Sequence, residues 1–363
     1  MTVMSNDQDV VIRREDHAGR ITLNRPKALN ALTLPMVRAI APALAAWASD
    51  PAIELIILDG AGDRGLCAGG DVRWLYDSRL NGPHDARTFW AEEYKLNAMI
   101  GRYAKPFVAF MDGVVMGGGI GLSAHGSHRI VTERSQLAMP ETSIGLIPDV
   151  GGTWLLSRAP GGLGAYLGLT GERMKGAGTI AAGFADTFAP SSRLQELGAA
   201  LCHSGAATMD RVIAHYAEAP PPSDLAGLRA LIDETFKFDQ VELIRDTLAR
   251  MSKAGTVEPG QAWAVKTLAG LAGRSPLSLK LALTAIRHAR GLPSLEAALD
   301  MEYRICTRLY EGGEFIEGVR ALIVDKDRQP KWQPPRLEDV TPELVVQYLA
   351  PLPAGQELGL HAD

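Results

Sequence analysis

The chain has 363 residues, 46% of them hydrophobic and 22% charged, as in an ordinary soluble enzyme with one large domain or one domain plus an appendage. Its formal net charge of −5, without a basic stripe, argues against a general nucleic-acid-binding protein. No apolar run approaches the length of a membrane span, so we expect no membrane partner.

The cysteines, Cys67, Cys202 and Cys306, are too widely spaced for a disulfide framework or a metal cluster, which fits a reducing cytosol. Residues 1–16 are acidic and polar, and they resemble neither a signal peptide nor an arginine-rich transit sequence. We therefore expect a cytoplasmic protein.

The first half of the chain predicts alternating strands and helices. Residues 10–14 and 20–24 alternate on either side of a turn and predict a β-hairpin. Thr33 and Pro35 predict the start of a helix that ends near residue 49. Further apolar and amphipathic runs predict strands at 55–59, 106–111 and 129–132 and helices at 85–102 and 120–126. These units recur about every 45 residues, which predicts helices packed beside a sheet.

From about residue 195 the pattern becomes almost wholly helical. Apolar residues recur there at spacings of three and four, as in Leu279, Leu283 and Ile286. We therefore divide the chain into an α/β core, residues 1–195, and a helical C-terminal region, residues 196–363.

Two glycine-rich loops follow predicted strands. Cys67-Ala-Gly-Gly-Asp71 follows the strand at 55–59, and Met116-Gly-Gly-Gly119 follows the strand at 106–111. Glycine lets the backbone approach a ligand closely, and free amides at a helix start bind anions. Two such amides from separate loops would form an oxyanion hole, although each loop alone is also typical of a tight turn. Their order, about 45 residues apart, favours the functional interpretation.

The stretch Met139-Pro-Glu-Thr-Ser-Ile-Gly-Leu-Ile-Pro-Asp149 carries two candidate catalytic carboxylates, Glu141 and Asp149. Two carboxylates that converge on a closed site raise the pKa of one of them, which suits a proton carrier but leaves their roles interchangeable. A glutamate capping a helix after proline and an aspartate in a Pro-Asp turn are the structural alternatives.

These motifs, in this order, resemble the crotonase (enoyl-CoA hydratase/isomerase) superfamily over about residues 10–190. The series begins with Asn24-Arg-Pro and Ala28-Leu-Asn-Ala-Leu32, continues with both glycine loops, and ends with Pro140-Glu-Thr-Ser-Ile-Gly-Leu-Ile-Pro148. The resemblance implies an α/β fold, a crotonase-like spiral of ββα units followed by a helical C-terminal region. It also implies an acyl-CoA substrate whose thioester carbonyl is held by the amides of Gly70 and Gly118.

Within the superfamily the chain resembles the 3-hydroxyisobutyryl-CoA hydrolase branch over nearly its whole length, including Met301-Glu-Tyr-Arg304. Hydratases carry a glutamate where this chain has Gly121, and usually a glycine where it has Asp149. The resemblance implies hydrolysis of 3-hydroxyisobutyryl-CoA to 3-hydroxyisobutyrate and CoA in valine breakdown, with 3-hydroxypropionyl-CoA as a second substrate. Glu141 would attack the thioester or activate a water, and Asp149 would bind the 3-hydroxyl, position water or hold Glu141.

The resemblance also implies a contact between Glu93 and the substrate, although helical glutamates are usually solvated. Arg25, Lys27 and Arg73 are candidates for the CoA phosphates, with scattered surface cations as the alternative. Backbone carbonyls near Ala28 would accept hydrogen bonds from adenine. We expect no metal and no cofactor, since CoA is part of the substrate, and a homo-oligomer, either a trimer or a hexamer.

Two rival functions remain open. The first is an enoyl-CoA hydratase or isomerase that has moved its second acid to Asp149. The second is a non-catalytic acyl-CoA-binding or assembly subunit that kept the pocket, for which a change at Glu141 would leave function intact.

Overall fold

The computed structural model describes residues 8–253 and 260–361, so the acidic start up to Asp7 lies outside the described residues. Contacts divide the chain into two compact units. The first comprises Met1–Asp71, Glu92–Leu137 and Met174–Ser223, and the second Val72–Ala91, Ala138–Arg173 and Asp224–Asp363. The division predicted at residue 195 is a different one and stays a prediction.

The first unit contains the main β-sheet. In chain order the strands of the described residues are β1 (Val10–Glu15), β2 (Ala18–Leu23), β3 (Leu55–Gly60), β4 (Phe107–Met111), β5 (Val114–Met116), β6 (His128–Val131), β7 (Gln136–Ala138) and β8 (Thr187–Phe188). The main sheet has the order β1-β2-β3-β4-β6-β8, while β5 pairs with β7. The predicted hairpin is present, because β1 and β2 pair antiparallel with Val10 opposite Leu23. The other neighbouring strands of the main sheet pair in parallel.

Helices account for most of the remaining chain. In the described residues the α-helices are α1 (Leu34–Ser49), α2 (Val72–Ser78), α3 (His84–Gly101), α4 (Gly118–Ser123), α5 (Gly152–Arg158), α6 (Leu163–Thr170), α7 (Gly176–Ala181), α8 (Leu194–Ser204), α9 (Met209–Tyr216), α10 (Arg229–Thr235), α11 (Val241–Met251), α12 (Gly260–Ala272), α13 (Pro276–Ala289), α14 (Leu295–Glu311), α15 (Glu314–Val319) and α16 (Pro342–Leu349). Within the described ranges no strand follows Phe188, in agreement with the helical pattern of the sequence. The predicted α/β class is confirmed.

The central strands of the first unit are buried on both faces. β3 and β4 are continuous apolar runs because parallel strands in the middle of a sheet are covered on either side. On one face, Ile57 and Phe110 pack in a cluster with Leu197 and Leu201 of α8 and Met209 of α9. The carboxyl end of β3 leads into the first glycine loop, whereas β5, which follows β4, leads into the second.

The second unit is built from helices around its own aromatic core. Tyr166 of α6 packs edge-on against Phe236, with ring centroids 5.2 Å apart, and Trp263 of α12 contacts both rings. Helices α5, α6 and α13 pack against one another, and α6 and α13 also contact the segment Glu141–Ile144. No helix among the described residues is long and apolar enough to cross a membrane.

Candidate active site

The two predicted oxyanion amides lie close together in the first unit. Gly118 is the first residue of α4, so its amide has no acceptor within the helix. A Cβ atom at Gly118 would lie 3.4 Å from the amide nitrogen of Gly70. The structure therefore brings the two amides together, as an anion-binding pair requires.

Main-chain contacts fix the loop of Gly70 on both sides. The Leu32 amide donates to the Gly69 carbonyl (2.8 Å), and the Asp71 amide donates back to the Leu32 carbonyl (2.9 Å). On the other side the loop approaches α4 so closely that a Cβ at Gly119 would lie 2.5 Å from the Cys67 carbonyl oxygen. Only glycine fits such an approach, so main-chain contacts contribute to fixing the amide directions.

Glu93 of α3 lies at the same place in the first unit. It is 2% exposed, and its Oε1 atom would be 2.6 Å from a Cβ at Gly118. The alternative that Glu93 lies on a solvated helix face is therefore wrong. The residue is a buried carboxylate next to the predicted oxyanion amides.

Arg25 anchors the first glycine loop. Its Nη1 donates to the Ala31 carbonyl (2.6 Å), and Nη1 and Nη2 contact Asp71 Oδ2 at 3.3 and 3.2 Å. A guanidinium engaged in this way fits the role of a loop anchor better than that of a free cation for phosphate. Sequence reasoning did not foresee this role, because the ion pair joins residues 46 positions apart.

The segment around Ala28 is an exposed turn. Ala28 ends a 3₁₀-helix, Pro26–Ala28, and its carbonyl accepts from the Ala31 amide (3.1 Å). Arg64 donates to the Lys27 carbonyl (2.9 Å) and to the Pro26 carbonyl. The carbonyls predicted to accept from adenine thus already have intramolecular partners.

Arg73 lies on α2 in the second unit. Its side chain is 54% exposed and pairs with Asp77 one turn away (Nε to Oδ2, 2.9 Å). An exposed pair of this kind contributes little to stability, so Arg73 is accessible to an anionic ligand.

Glu141 begins a 3₁₀-helix, Glu141–Ile144, in the second unit. The turn ends at Gly145, which has a left-handed φ of 74° and packs so tightly that a Cβ would lie 2.3 Å from the Glu314 carbonyl oxygen. Glu141 is 5% exposed, and its Oε2 atom is buried without a hydrogen-bond partner in the described part of the chain. A buried carboxylate oxygen without a partner is costly unless it has a function.

Arg274, at the N-terminal side of α13, fastens this segment. Its Nη1 donates to Thr142 Oγ1 (2.7 Å), and its Nη2 donates to the Thr170 carbonyl at the end of α6. Thr142 also donates to the Leu169 carbonyl (3.2 Å). The residue next to Glu141 is therefore held from two directions.

Three ionisable groups, Asp149, Arg274 and Glu302, influence Glu141 in the second unit. Burial raises the pKa of Glu141 well above its ordinary value, and the negative charge of Asp149 raises it further. The positive charge of Arg274 opposes this rise, while Glu302 adds to it. The structure thus brings Glu141 and Asp149 together, as the sequence predicted. Asp149 is itself 5% exposed.

Asp149 is the first residue of a tight turn. The Gly152 amide donates to its carbonyl (2.6 Å), and the two central residues, Val150 and Gly151, have left-handed φ values of 52° and 80°. This pattern is typical of a type I′ turn. The Pro-Asp turn considered as the structural alternative is therefore present, but the turn places Asp149 beside Glu141.

Arg274 and Glu302 were missed by sequence reasoning. Glu302 lies within the Met301-Glu-Tyr-Arg304 motif, which carried the resemblance but suggested no role. Burial raises the pKa of Glu302 to about 8, although hydrogen bonds donated by Thr153 and Gly151 lower it. Within the described residues no group of three or more His, Cys, Asp or Glu side chains could hold a metal.

The chain is similar to known enzymes along almost its whole length. It is 42% identical over 354 residues to 3-hydroxyisobutyryl-CoA hydrolase, mitochondrial, of Xenopus tropicalis, covering 95% of this chain and 90% of that protein. It is 40% identical to the enzyme of the same name from Mus musculus, and the match covers 97% of this chain and 91% of that protein. Its identity to 3-hydroxyisobutyryl-CoA hydrolase 1 of Arabidopsis thaliana is 39%, covering 95% and 92%.

Two solved structures are also similar. A carnitinyl-CoA dehydratase from Mycobacterium thermoresistibile matches with a TM-score of 0.91 and 43% identity, covering 98% of this chain and 100% of that one. An enoyl-CoA hydratase from Rhodobacter sphaeroides 2.4.1 matches with a TM-score of 0.88 and 43% identity, and the match covers 97% of this chain and 99% of that one. The predicted crotonase-like fold is confirmed.

The comparison also corrects the expected location. The vertebrate relatives are named as mitochondrial proteins, so the prediction of a cytoplasmic protein is wrong. That prediction depended on the composition of the first residues and on free cysteines. A reducing environment does not single out the cytosol.

Sequence and structure agree on the family. A family model for enoyl-CoA hydratase/isomerase matches residues 18–349. The match includes both glycine loops, Glu141 and Asp149. The chain therefore belongs to the enoyl-CoA hydratase/isomerase family.

Proposed function

We propose that this protein hydrolyses 3-hydroxyisobutyryl-CoA to 3-hydroxyisobutyrate and CoA in valine breakdown, with 3-hydroxypropionyl-CoA as a second substrate. The relatives named as 3-hydroxyisobutyryl-CoA hydrolases, at about 40% identity over most of both chains, support this activity. The proposed reaction takes its electrophilic assistance from backbone amides and uses no cofactor besides the CoA of the substrate.

One observation carries the proposal: Glu141 and Asp149 are both buried in the second unit, where burial and the negative charge of Asp149 raise the pKa of Glu141. Adding water to a double bond normally uses one carboxylate to activate water and another for the α-proton. This chain has Gly121 where hydratases carry the first of these, and an additional acid at Asp149. The chain thus lacks one of the two acids that hydration uses and has Asp149 in addition to Glu141. Cleavage of a thioester needs only one acid as nucleophile or base, which leaves Asp149 to position water or the substrate.

In the proposed reaction the amides of Gly70 and Gly118 stabilise the negative charge that develops on the thioester oxygen. Glu141 either attacks the carbonyl carbon, giving a mixed anhydride that water hydrolyses, or takes a proton from the attacking water. The carbon–sulfur bond breaks, and the CoA sulfur takes up a proton. Asp149 binds the 3-hydroxyl or positions the water, and Glu93 contacts the substrate beside Gly118.

The similar solved structures favour a second candidate function, since they are described as a dehydratase and a hydratase. In that case the protein would interconvert a 3-hydroxyacyl-CoA and an enoyl-CoA, and Asp149 would serve as the second acid. Both reactions can start from the same 3-hydroxyacyl thioester. Only hydrolysis releases a free thiol, and only dehydration creates a conjugated double bond.

The test measures free thiol and enoyl absorbance in parallel with 3-hydroxyisobutyryl-CoA, 3-hydroxypropionyl-CoA and crotonyl-CoA. We expect thiol release from the first two substrates and no change in crotonyl absorbance. Glu141→Gln should lower turnover about a thousandfold or more. Asp300→Asn is a control variant that should fold and keep wild-type turnover. A change in crotonyl absorbance without thiol release would replace hydrolysis by the second function. No thiol release and no enoyl change by the wild type, with equal acyl-CoA binding by Glu141→Gln, would point to a non-catalytic subunit.

A further inference from the structure

Glu302 is a fully buried carboxylate that accepts hydrogen bonds from the segment following Asp149. It lies on α14, and its Oε2 accepts from the Gly151 amide (2.7 Å). Its Oε1 accepts from the Thr153 amide (2.9 Å) and from the Thr153 hydroxyl. A single side chain 149 residues away in sequence from Thr153 thus fixes two backbone amides of one turn.

The turn that Glu302 holds is a strained one. Val150 has a left-handed φ of 52°, which is an outlier for a β-branched residue. Such a conformation persists only where the surroundings enforce it, and it is enriched at functional sites. The turn is also closely packed, since a Cβ at Gly152 would lie 2.5 Å from Met139 Cε. The hydrogen bonds of Glu302 are therefore well placed to enforce the turn.

The turn sets the position of Asp149. Asp149 is its first residue, and its carbonyl accepts a hydrogen bond from the Gly152 amide. Gly152 lies between Gly151 and Thr153, the two residues whose amides donate to Glu302. The negative charge of Asp149 also raises the pKa of Glu302, so the two carboxylates influence each other in the second unit. Relaxation of Val150 towards an ordinary φ would rotate the backbone next to Asp149 and move its carboxylate relative to Glu141.

We propose that Glu302 is a positioning residue that holds the strained turn at Val150 and thereby fixes the Asp149 carboxylate beside Glu141. This proposal rests on the proposed function, in which Asp149 binds the 3-hydroxyl or positions water. Glu302 itself does not contact the substrate in this scheme. A capping role for α5 alone would stabilise the fold without affecting turnover.

The first experiment compares Glu302→Gln with Asp300→Asn. Asp300 is a buried carboxylate two residues earlier on α14 that accepts from the Leu360 and His361 amides (3.0 Å each), so its variant controls for loss of a buried acid. We expect Glu302→Gln to lower kcat at least tenfold with KM changed less than about threefold, and Asp300→Asn to change neither. Equal kcat in both variants and the wild type would overturn the proposal.

A second pair of variants avoids the carboxylate itself. Thr153→Val removes the hydroxyl that donates to Glu302 but keeps the side-chain shape, and Thr153→Ser restores the donor. We expect Thr153→Val to lower kcat about threefold to tenfold, and Thr153→Ser to recover most of it. This pair decides the matter even where Glu302→Gln fails to fold. Equal kcat in the two Thr153 variants would contradict the proposed role.

A structural readout separates this proposal from the proposed function. If the wild-type protein releases no thiol, hydrolysis is wrong, but crystal structures of the wild type and Thr153→Val still test the positioning. We expect Val150 to leave the left-handed region and the Asp149 carboxylate to shift in the variant. An unchanged turn in the variant would overturn the positioning role whatever reaction the protein catalyses.

Discussion

Arg274 donates a hydrogen bond to the hydroxyl of Thr142, the residue directly after Glu141. Its charge also lowers the pKa of Glu141, against the effects of burial and of Asp149. Arg274 therefore acts on the candidate catalytic acid in two ways, by fixing its helix and by offsetting its burial. Each effect can be measured separately.

Arg274→Met should move the acidic limb of the kcat/KM profile to higher pH. Without the guanidinium the pKa of Glu141 rises further, so a higher pH is needed to ionise it. The variant should also lose about 1–3 kcal/mol of unfolding free energy, because Thr142 and the Thr170 carbonyl lose a donor. The measurements are a pH–rate profile and denaturant unfolding.

The matched control for this change is Arg287→Met. Arg287, on the same helix, donates to the Phe236 and Phe238 carbonyls (2.7 and 3.1 Å). This variant should lose stability but leave the pH profile in place. An unshifted profile in Arg274→Met would show that the guanidinium has no electrostatic effect on Glu141.

The protein should lose stability as pH rises from about 4.5 to about 8. Burial raises the pKa of Glu302 from 4.5 to about 8 and that of Glu141 well above 4.5, so the folded state binds more protons than the unfolded state. Stability from a raised pKa is fully present below the unfolded value and is lost as pH approaches the folded value. The loss should amount to a few kcal/mol, on the order of 1.4 kcal/mol for each unit of pKa.

Denaturant unfolding at several pH values measures this loss. The slope between pH 4.5 and 8 should flatten in Glu141→Gln and in Glu302→Gln, because each removes one of the titrating acids. A wild-type stability that rises over this range would contradict the raised pKa values.

Gly118→Ala should abolish most of the activity without unfolding the protein. The new methyl group would lie 2.6 Å from Glu93 Oε1 and 3.4 Å from the Gly70 amide nitrogen, and the first is too close for any Cβ contact. Displacement of one oxyanion donor should lower kcat by about a hundredfold. Steady-state kinetics and a thermal melt are the measurements.

Gly270→Ala is the control for this prediction. Gly270 lies on α12 with no atom within 4 Å of its Cβ position, so alanine there should leave kcat unchanged. Alanine should also add roughly 0.5–1 kcal/mol of stability, since it is the better helix former. Wild-type kcat in Gly118→Ala would contradict the prediction that a methyl group at this position displaces the amide.

Arg25→Met should impair the enzyme with a truncated substrate as well as with the CoA thioester. Arg25 is bonded to Asp71 and the Ala31 carbonyl, so its loss should loosen the first glycine loop. The matched variant is Arg73→Met, which removes an exposed cation. It should lower kcat/KM only for the CoA thioester if it binds a phosphate.

The measurement compares acyl-CoA with the acyl-pantetheine thioester, which lacks the adenosine and all the phosphates of CoA. We expect Arg25→Met to lower kcat/KM at least tenfold for both substrates. A loss confined to the CoA thioester would instead assign Arg25 to the phosphates, as first expected from the sequence.

Local signals in the sequence predicted much of the fold. The alternation at the hairpin, Pro35 in the first turn of α1 and the apolar runs of β3 and β4 each act over a few residues. Helix boundaries moved by one to three residues, as at α4, which was predicted at 120–126 and spans Gly118–Ser123. Thr33 precedes α1 as predicted, but its hydroxyl makes no capping hydrogen bond.

The site was predictable only where motifs carry it. Gly70, Gly118, Glu141 and Asp149 were found because order along the chain marks them. Arg274 and Glu302 were missed because their partners lie 132 and 151 residues away, at Thr142 and Gly151. No spacing rule connects such residues. Only the packing of α13 and α14 in the second unit brings them to the acids.

The loop geometry described for Gly70 and Gly118 has an evolutionary consequence. Neighbouring main-chain groups orient these amides, so mutation of exposed side chains leaves the electrophilic half of the chemistry untouched. A new reaction then requires only the gain, loss or transfer of an acid elsewhere, one codon at a time. Dehydratases, hydratases and hydrolases can diverge on such a framework while their backbones remain superimposable.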